Sequence, residues 1–398
     1  MTNSRRLRVL CLDIEGGHGG SSRSLFNSLS YFDRDKVDVD VWCRKKGAIK
    51  DRYRSIDISV DVTIEMPKIS SLPRISRNLF FLVLFFLRDW PYSRKFRQKL
   101  LKKSGDYDLI HCNHESLYWL ARWIKKNLGI PITMHKRTNL CPSVFAYFQM
   151  RMISKYVSGI VFITENERNN FKKLGGNILH SKVIYNIVPV VKKNLLPLEE
   201  IPNNNRFKIC TLANYSYSRG IDRLIDIALN LKNIGRDEFL FVIAGDISLP
   251  RSLPGQLGSI ARNGGDLSDY ADKMGVGKMF LFLGHVAEPE KVLSACHVLI
   301  RPSREYNPWG RDVLEALSFG LPVIATGTYD KFVENGVTGF IFDEFNAQKI
   351  SECIVKLSQD KKLVEEMGKQ GKRRVQDLCN GPNRARDLLR IWQEVFES

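Results

Sequence analysis

Short apolar, β-branched runs alternate with longer amphipathic stretches along nearly the whole chain, and they do so in two sets. Leu7–Leu12, Val37–Trp42, Leu109–His111, Ile132–His135, Gly159–Ile163 and Lys182–Tyr185 read as strands in the first half. Phe207–Ala213, Phe239–Ala244, Met279–Leu283, Val298–Arg301, Pro322–Ala325 and Gly339–Phe342 read as strands in the second. Helical stretches such as Gly220–Asn233, Asp312–Phe319 and Asn346–Leu357 lie between them. This alternation gives parallel sheets covered on both faces. The seam is Pro189–Asn205, where Pro189, Pro197, Pro202 and three successive asparagines break all periodicity. The pattern predicts two doubly wound α/β domains facing each other across a cleft, at 1–190 and 207–382, joined by a linker at 191–206. A last helix over 383–398, carrying Trp392 and Phe396, could cross back onto the first domain. In such sheets ligands sit at the carboxyl ends of the strands, where backbone amides and helix starts are free.

The 398 residues exceed what one hydrophobic core organises, in agreement with two domains. An apolar fraction of 43% and a charged fraction of 26% are globular values and exclude a disordered chain or a fibre. The longest unbroken apolar run is the nine residues Leu79–Leu87, whereas a spanning helix needs about 20. Leu7–Leu12 is too short for a signal-peptide core, so the chain is expected in the cytoplasm. The eight cysteines contain no Cys-x-x-Cys pair and the seven histidines are scattered, which points to free thiols in a reducing compartment and to no metal site.

Positive charge is concentrated. Ten bases and one acid, Asp89, lie between Lys68 and Lys103, a net of +9 out of the chain's +18. The same window holds Leu79–Leu87, Trp90 and Tyr92. Bases beside a short apolar run and interfacial aromatics suit an element lying on an anionic bilayer, with Arg74, Arg77, Phe80, Phe81, Phe85, Arg94, Lys95, Arg97 and Lys99 as contacts. The other reading is a core helix with solvated charged ends. Nucleic acid is not expected as a partner: the sequence has no zinc finger, RNP-type motif or aromatic-spaced strand.

Two stretches carry chemistry. The first strand runs into Gly16-Gly17-His18-Gly19-Gly20-Ser21-Ser22-Arg23, a turn that lets backbone approach a phosphate. Its spacing is neither a dinucleotide fingerprint nor a P-loop. In the second half, Arg219 stands just before a helix, where a guanidinium adds charge to a pyrophosphate facing the helix start. Further on, Arg301–Ala325 reads as strand, polar loop, helix, glycine stop and strand.

That last stretch resembles the signature of retaining glycosyltransferases of family 4: Pro-Ser, a Glu, seven residues, Glu-Ala, a helix and Gly-x-Pro-Val. Leu212–Leu224 is similar to the family's diphosphate loop, Ile243–Asp246 to its Val-x-Gly-Asp strand end, and Asn335–Phe340 to its Asn-Gly-x-x-Gly turn. Looser likenesses fall at Thr133–His135, Phe162–Glu165 and Val183–Asn186. The resemblance implies the GT-B fold, two Rossmann-like domains across a cleft, the first binding acceptor and the second binding a nucleotide sugar, such as a UDP- or GDP-sugar.

It also implies roles. Glu315 grips the ribose, since a carboxylate accepts from two vicinal hydroxyls. Arg219 takes the place of the diphosphate-binding Lys. Gly19 and Gly20 face the donor phosphate, and His135 lies beside the transferred sugar. Gly310 and Arg311 open the helix under sugar and diphosphate. His285, Val286 and the Tyr306–Trp309 segment tune base and sugar selectivity. Two positions depart from the family. The first acid falls on Asn307, eight residues before Glu315, so either Asn307 replaces it or Glu305 serves from a longer loop. Asn214 stands where many members have Arg, leaving Arg219 as the main diphosphate cation. The implied activity is metal-independent retaining transfer of a sugar to a hydroxyl of a lipid-linked saccharide. The setting is bacterial polysaccharide or lipopolysaccharide synthesis, with the enzyme peripheral on the inner face of the plasma membrane. The alternatives are a soluble transferase acting on a small metabolite and a non-catalytic scaffold of the same fold.

Overall fold

A computed structural model describes residues 5–16, 20–47, 49–69, 79–188, 195–305, 307 and 309–398, without the side chains of Leu79 and Phe81. The chain divides into two compact units, Met1–Pro189 with Cys379–Ser398, and Val190–Leu378.

The first unit is built on strands β1 (Leu7–Asp13), β2 (Val37–Cys43), β3 (Ser59–Val62), β4 (Leu109–Cys112), β5 (Ile132–Lys136), β6 (Gly159–Phe162) and β7 (His180–Val183). They form one parallel sheet in the order β3-β2-β1-β4-β5-β6-β7. The central strands are buried along their whole length, as both-face coverage requires. Two strands differ from the sequence reading. β3 escaped it because Ser59-Val60-Asp61-Val62 is a half-exposed edge strand with little apolar content. β7 begins two residues before the apolar run Lys182–Tyr185; Ile184 and Tyr185 are buried just past the strand, and only the Ile184 N–H still reaches the Phe162 carbonyl, at 2.8 Å.

The helix Gly381–Glu397 belongs to this unit. Leu388, Ile391, Trp392 and Val395 pack with Val9, Leu25, Phe32 and Val161 in one core. Fully burying each such side chain contributes about 1.5–3 kcal/mol. A Cβ on Gly159 would stand 2.6 Å from Val395, so glycine at the start of β6 lets the helix approach the sheet.

The window 79–103 is helical: Leu79–Leu84, a π-turn Phe85–Asp89, Trp90–Tyr92 and Arg94–Lys103. It is split by face. Phe85, Phe96 and Leu100 are buried in a core with Trp42 and Leu117. Phe80 (64% exposed), Leu87 (75%) and Tyr92 (56%) face out. Among the described residues, no helix is long and apolar enough to cross a membrane.

The second unit carries β8 (Lys208–Leu212), β9 (Leu240–Ala244), β10 (Phe280–Gly284), β11 (Val298–Arg301), β12 (Val323–Thr326) and β13 (Gly339–Phe342). They form a parallel sheet in the order β10-β9-β8-β11-β12-β13. The strand order reverses at β8, whose neighbours are β9 and β11, so the carboxyl ends of β8 and β11 mark a switch point where ligands gather. The helix expected from Gly220 starts at Arg223. Gly220 sits at φ 69°, outside helical geometry, and closes a 3₁₀ turn, Tyr217–Arg219, capped by Ser216.

Candidate active site

In the second unit the site grows from the loops after β8 and β11. The Ser216 side chain accepts from the Arg219 N–H at 3.3 Å and fixes the turn. The turn is then stapled to the loop 302–305. The Ser218 carbonyl accepts from the Arg304 N–H at 2.8 Å and from the Ser303 hydroxyl at 3.3 Å. The Arg304 guanidinium donates to the Tyr217 carbonyl at 2.9 Å, pairs with both oxygens of Asp222 and lies 4.0 Å over the Tyr217 ring. A Cβ on Gly220 would meet the Pro302 carbonyl at 2.1 Å, so this contact needs glycine. Arg219 is thereby held on the surface at the end of the turn; among the described residues its guanidinium has no recorded protein partner.

Glu315 and Arg311 lie one turn apart on the helix Arg311–Phe319, which follows β11. The Arg311 Nη2 donates to Glu315 Oε1 at 2.7 Å, both side chains being mostly buried. Among the described residues, the Arg311 Nε and Nη1 atoms are buried without a hydrogen-bond partner. So are the Asn307 Oδ1, Trp309 Nε1 and Thr326 Oγ1 atoms. Each such buried polar atom is costly unless a ligand or a water satisfies it. The start of the helix is braced by Arg301, which donates to Asp312 at 2.6 Å and to the Asn307 carbonyl at 2.9 Å. Trp309 is 4% exposed and packs against Tyr329 and Phe332. Gly310 is in the extended region but has no room for a side chain: a Cβ would meet Asp312 Oδ1 at 2.4 Å.

The remaining second-unit positions divide. Glu305 is exposed, whereas Asn307 is half-buried with its side-chain oxygen inside. Asn214 is exposed and uses its Oδ1 to accept from the Asp246 N–H at 2.9 Å, joining the ends of β8 and β9. His285 and Val286 follow β10 and line a pocket with Phe282 and Glu200.

In the first unit His135, on β5, is 4% exposed. Its Nδ1 lies 2.8 Å from Nε2 of His111 on β4. Burial pushes His111 down to about 3 and His135 well below the ordinary histidine value, with Arg137 adding repulsion, so both rings are neutral. Gly20 opens the helix Gly20–Leu29. Asp13, at the end of β1, accepts from Ser22 and from Asn113. Burial raises it to about 6 despite those bonds. Arg137 donates to the Asn113 carbonyl and side chain, and its N–H donates to Glu115 at 2.9 Å. Burial alone would raise Glu115, but His114, Lys136 and the bonds from Thr138 and Arg137 hold it at about 2. Sequence reading missed these buried partners, because a polar residue inside an apolar strand shows its role only when the register reveals its neighbours.

Gly19, Arg74 and Arg77 lie outside the described residues, as do Tyr306, Pro308 and the side chain of Phe81. Of the expected membrane contacts, Phe85 is corrected: it is 3% exposed and belongs to the core. Arg97 stacks 4.3 Å over Trp90, and Lys99 pairs with Asp61 at 2.8 Å and lies over Trp42, so both are engaged by the protein. Phe80, Arg94 and Lys95 are exposed.

Two family descriptions match successive parts of the chain: Glycosyltransferase Family 4 at residues 18–192 and Glycosyl transferases group 1 at 197–374. The chain belongs to this glycosyltransferase family. The matches fall on the two units in turn. The Staphylococcus aureus capsular polysaccharide biosynthesis glycosyltransferase CapM is 32% identical over 195 residues, 48% of this chain and 45% of CapM. The glycosyltransferase therefore spans about half the length of that relative. Bacillus subtilis (strain 168) YqgM is 20% identical over 317 residues, 75% of this chain and 81% of YqgM. Anabaena HepE, solved in complex with UDP and glucose, superposes at a TM-score of 0.75 with 20% identity, covering 98% of this chain and 100% of HepE. The fold of the glycosyltransferase is GT-B.

Proposed function

We propose that the protein transfers a sugar, with retention of configuration, from a nucleotide diphosphate donor to a hydroxyl of a lipid-linked saccharide in bacterial cell-surface polysaccharide or lipopolysaccharide synthesis. One observation carries the reading. The Arg219 turn and the loop leading to the Arg311–Glu315 helix are stapled together at the carboxyl ends of the paired strands β8 and β11. A cation for a diphosphate and a carboxylate for a ribose thus belong to one braced assembly.

In this reading Glu315 accepts from the ribose hydroxyls and Arg219 stabilises the leaving diphosphate, assisted by the start of the helix Arg311–Phe319. No divalent ion is needed for that task. The acceptor attacks from the face the diphosphate leaves, and a phosphate oxygen takes its proton, which dispenses with a paired-carboxylate mechanism. Burial of the Asn307 side-chain oxygen favours Asn307 over the exposed Glu305 as the sugar-contacting residue. His135 contacts the transferred sugar. A UDP-sugar is the favoured donor class, supported by the HepE complex with UDP and glucose. A lipid-linked acceptor is supported by the exposed Phe80, Leu87 and Tyr92 beside Arg94 and Lys95. CapM is a capsular polysaccharide enzyme by name, which supports the same pathway class.

The test is incubation with UDP-, GDP- and ADP-sugars while following release of the nucleotide diphosphate, with and without a chelator. Slow hydrolysis of one donor class, insensitive to chelator, is expected. Absence of hydrolysis and of saturable nucleotide binding across the panel would refute the reading.

A further inference from the structure

His111 has an obligate donor on one side and His135 on the other. The indole of Trp392, which can only donate, places Nε1 3.3 Å from His111 Nδ1, and the Thr133 hydroxyl lies 2.9 Å from the same nitrogen. Nδ1 of His111 must therefore accept. A neutral His111 then carries its proton on Nε2, which points at His135 Nδ1 at 2.8 Å. That nitrogen in turn accepts, so the proton of neutral His135 resides on Nε2. With Nδ1 occupied, Nε2 is the ring nitrogen left to meet a ligand.

The register explains how the three rings meet. His111 on β4 pairs with Thr133 on β5, and His135 follows Thr133 by two residues, on the same face of the sheet. The rings of His111 and Trp392 have centroids 5.2 Å apart, and His111 and His135 cross edge to face at 4.8 Å. Trp392 and His111 are fully buried, so water does not compete for these bonds.

We propose that Trp392 and His111 are positioning residues that hold His135 as the Nε2–H tautomer, so that His135 meets an oxygen of the substrate as a hydrogen-bond donor and not as an acceptor. The inference rests on the reading of His135 as a substrate contact. It makes the helix Gly381–Glu397 part of the catalytic apparatus of the N-terminal unit.

The experiment is long-range proton–nitrogen correlation spectroscopy on ¹⁵N-histidine-labelled protein, which reads the protonated nitrogen of each ring. Wild-type His135 should carry its proton on Nε2. Finding it on Nδ1 overturns the proposal without any variant, and so stands clear of folding defects. His111→Phe removes the donor to His135 and should lower kcat about tenfold with donor KM unchanged, whereas His111→Gln, whose amide can still donate, should recover most of that loss. Trp392→Phe should give mixed tautomers at His111 and His135. An unchanged kcat in His111→Phe, or equal losses in His111→Phe and His111→Gln, overturns the positioning role. His135→Ala separates the two readings: unaltered turnover there removes the substrate contact, whatever the tautomer.

Discussion

Arg304 grips Asp222 with both prongs of its guanidinium, and the same side chain donates to the Tyr217 carbonyl. This pair joins the loop after β11 to the segment that carries Arg219. Asp222 is almost fully buried, so burial works against the charged pair while the carboxylate raises the arginine's proton affinity. Arg304→Ala should cost about 3 kcal/mol, because it leaves a buried charge alone. The paired Arg304→Met, Asp222→Asn variant should recover much of that stability without recovering donor hydrolysis. Denaturant unfolding and donor turnover measure the two effects; equal stability of Arg304→Ala and wild type would contradict the argument.

The Arg219 side chain is exposed and has no protein partner among the described residues. Arg219→Ala should therefore unfold at the same denaturant concentration as wild type and yet turn over donor more than tenfold slower. On the proposed role of Glu315 as the ribose-binding carboxylate, Glu315→Gln should raise donor KM more than it lowers kcat.

Asn307 and Glu305 can be separated directly. Asn307→Ala should reduce turnover by about tenfold, the order of one net hydrogen bond, whereas Glu305→Ala should stay within about twofold. The reverse ranking would assign the sugar contact to the longer loop.

Membrane attachment should reside in the outward face of the 79–103 helices. Replacing Arg94, Lys95, Lys102 and Lys103, all exposed, should weaken sedimentation with anionic vesicles and make it less salt-dependent. Phe80→Ser with Leu87→Ser should weaken it at all salt concentrations. Donor hydrolysis should be unaffected in both. Changes at Phe85 should instead destabilise the fold, because the ring is in the core.

Glu167 is buried beneath the Thr164 cap, and burial raises it to about 7 against the hydrogen bond from Thr164. The folded state therefore holds this proton more tightly than the unfolded chain, and its contribution to stability is lost as pH rises from about 4.5 through 7. Glu167→Gln should match wild type near pH 4 and exceed it by on the order of 2–3 kcal/mol at pH 8. Thermal unfolding across that range, with wild type and variant side by side, shows whether the gap opens in this direction.

The two sheets were legible because central parallel strands are apolar on both faces, so their runs stand out from the amphipathic helices. The edge strand β3 was not, since a half-exposed edge needs neither strong hydrophobicity nor a clean alternation, and β7 is placed two residues late because its first half, His180 and Ser181, is polar. Within the candidate site, Glu315 and Arg219 are named from the family resemblance of their stretches of sequence. Arg304, Asp222 and His111 were missed because their importance lies in contacts across tens of residues, such as the 82 between Arg304 and Asp222. The 79–103 window illustrates the limit of composition: it contains both an outward face and a core face, and only packing assigned Phe85 to the second.

The return of the helix Gly381–Glu397 to the N-terminal unit has a consequence during synthesis. The ribosome completes β1 to β7 and the entire second unit before it makes Trp392. Until then Val9, Leu25, Phe32 and Val161 lack their lid. The N-terminal half must wait, partly open, until residues 381–397 have been made, and a chain cut short near residue 380 would be stranded in that adhesive state.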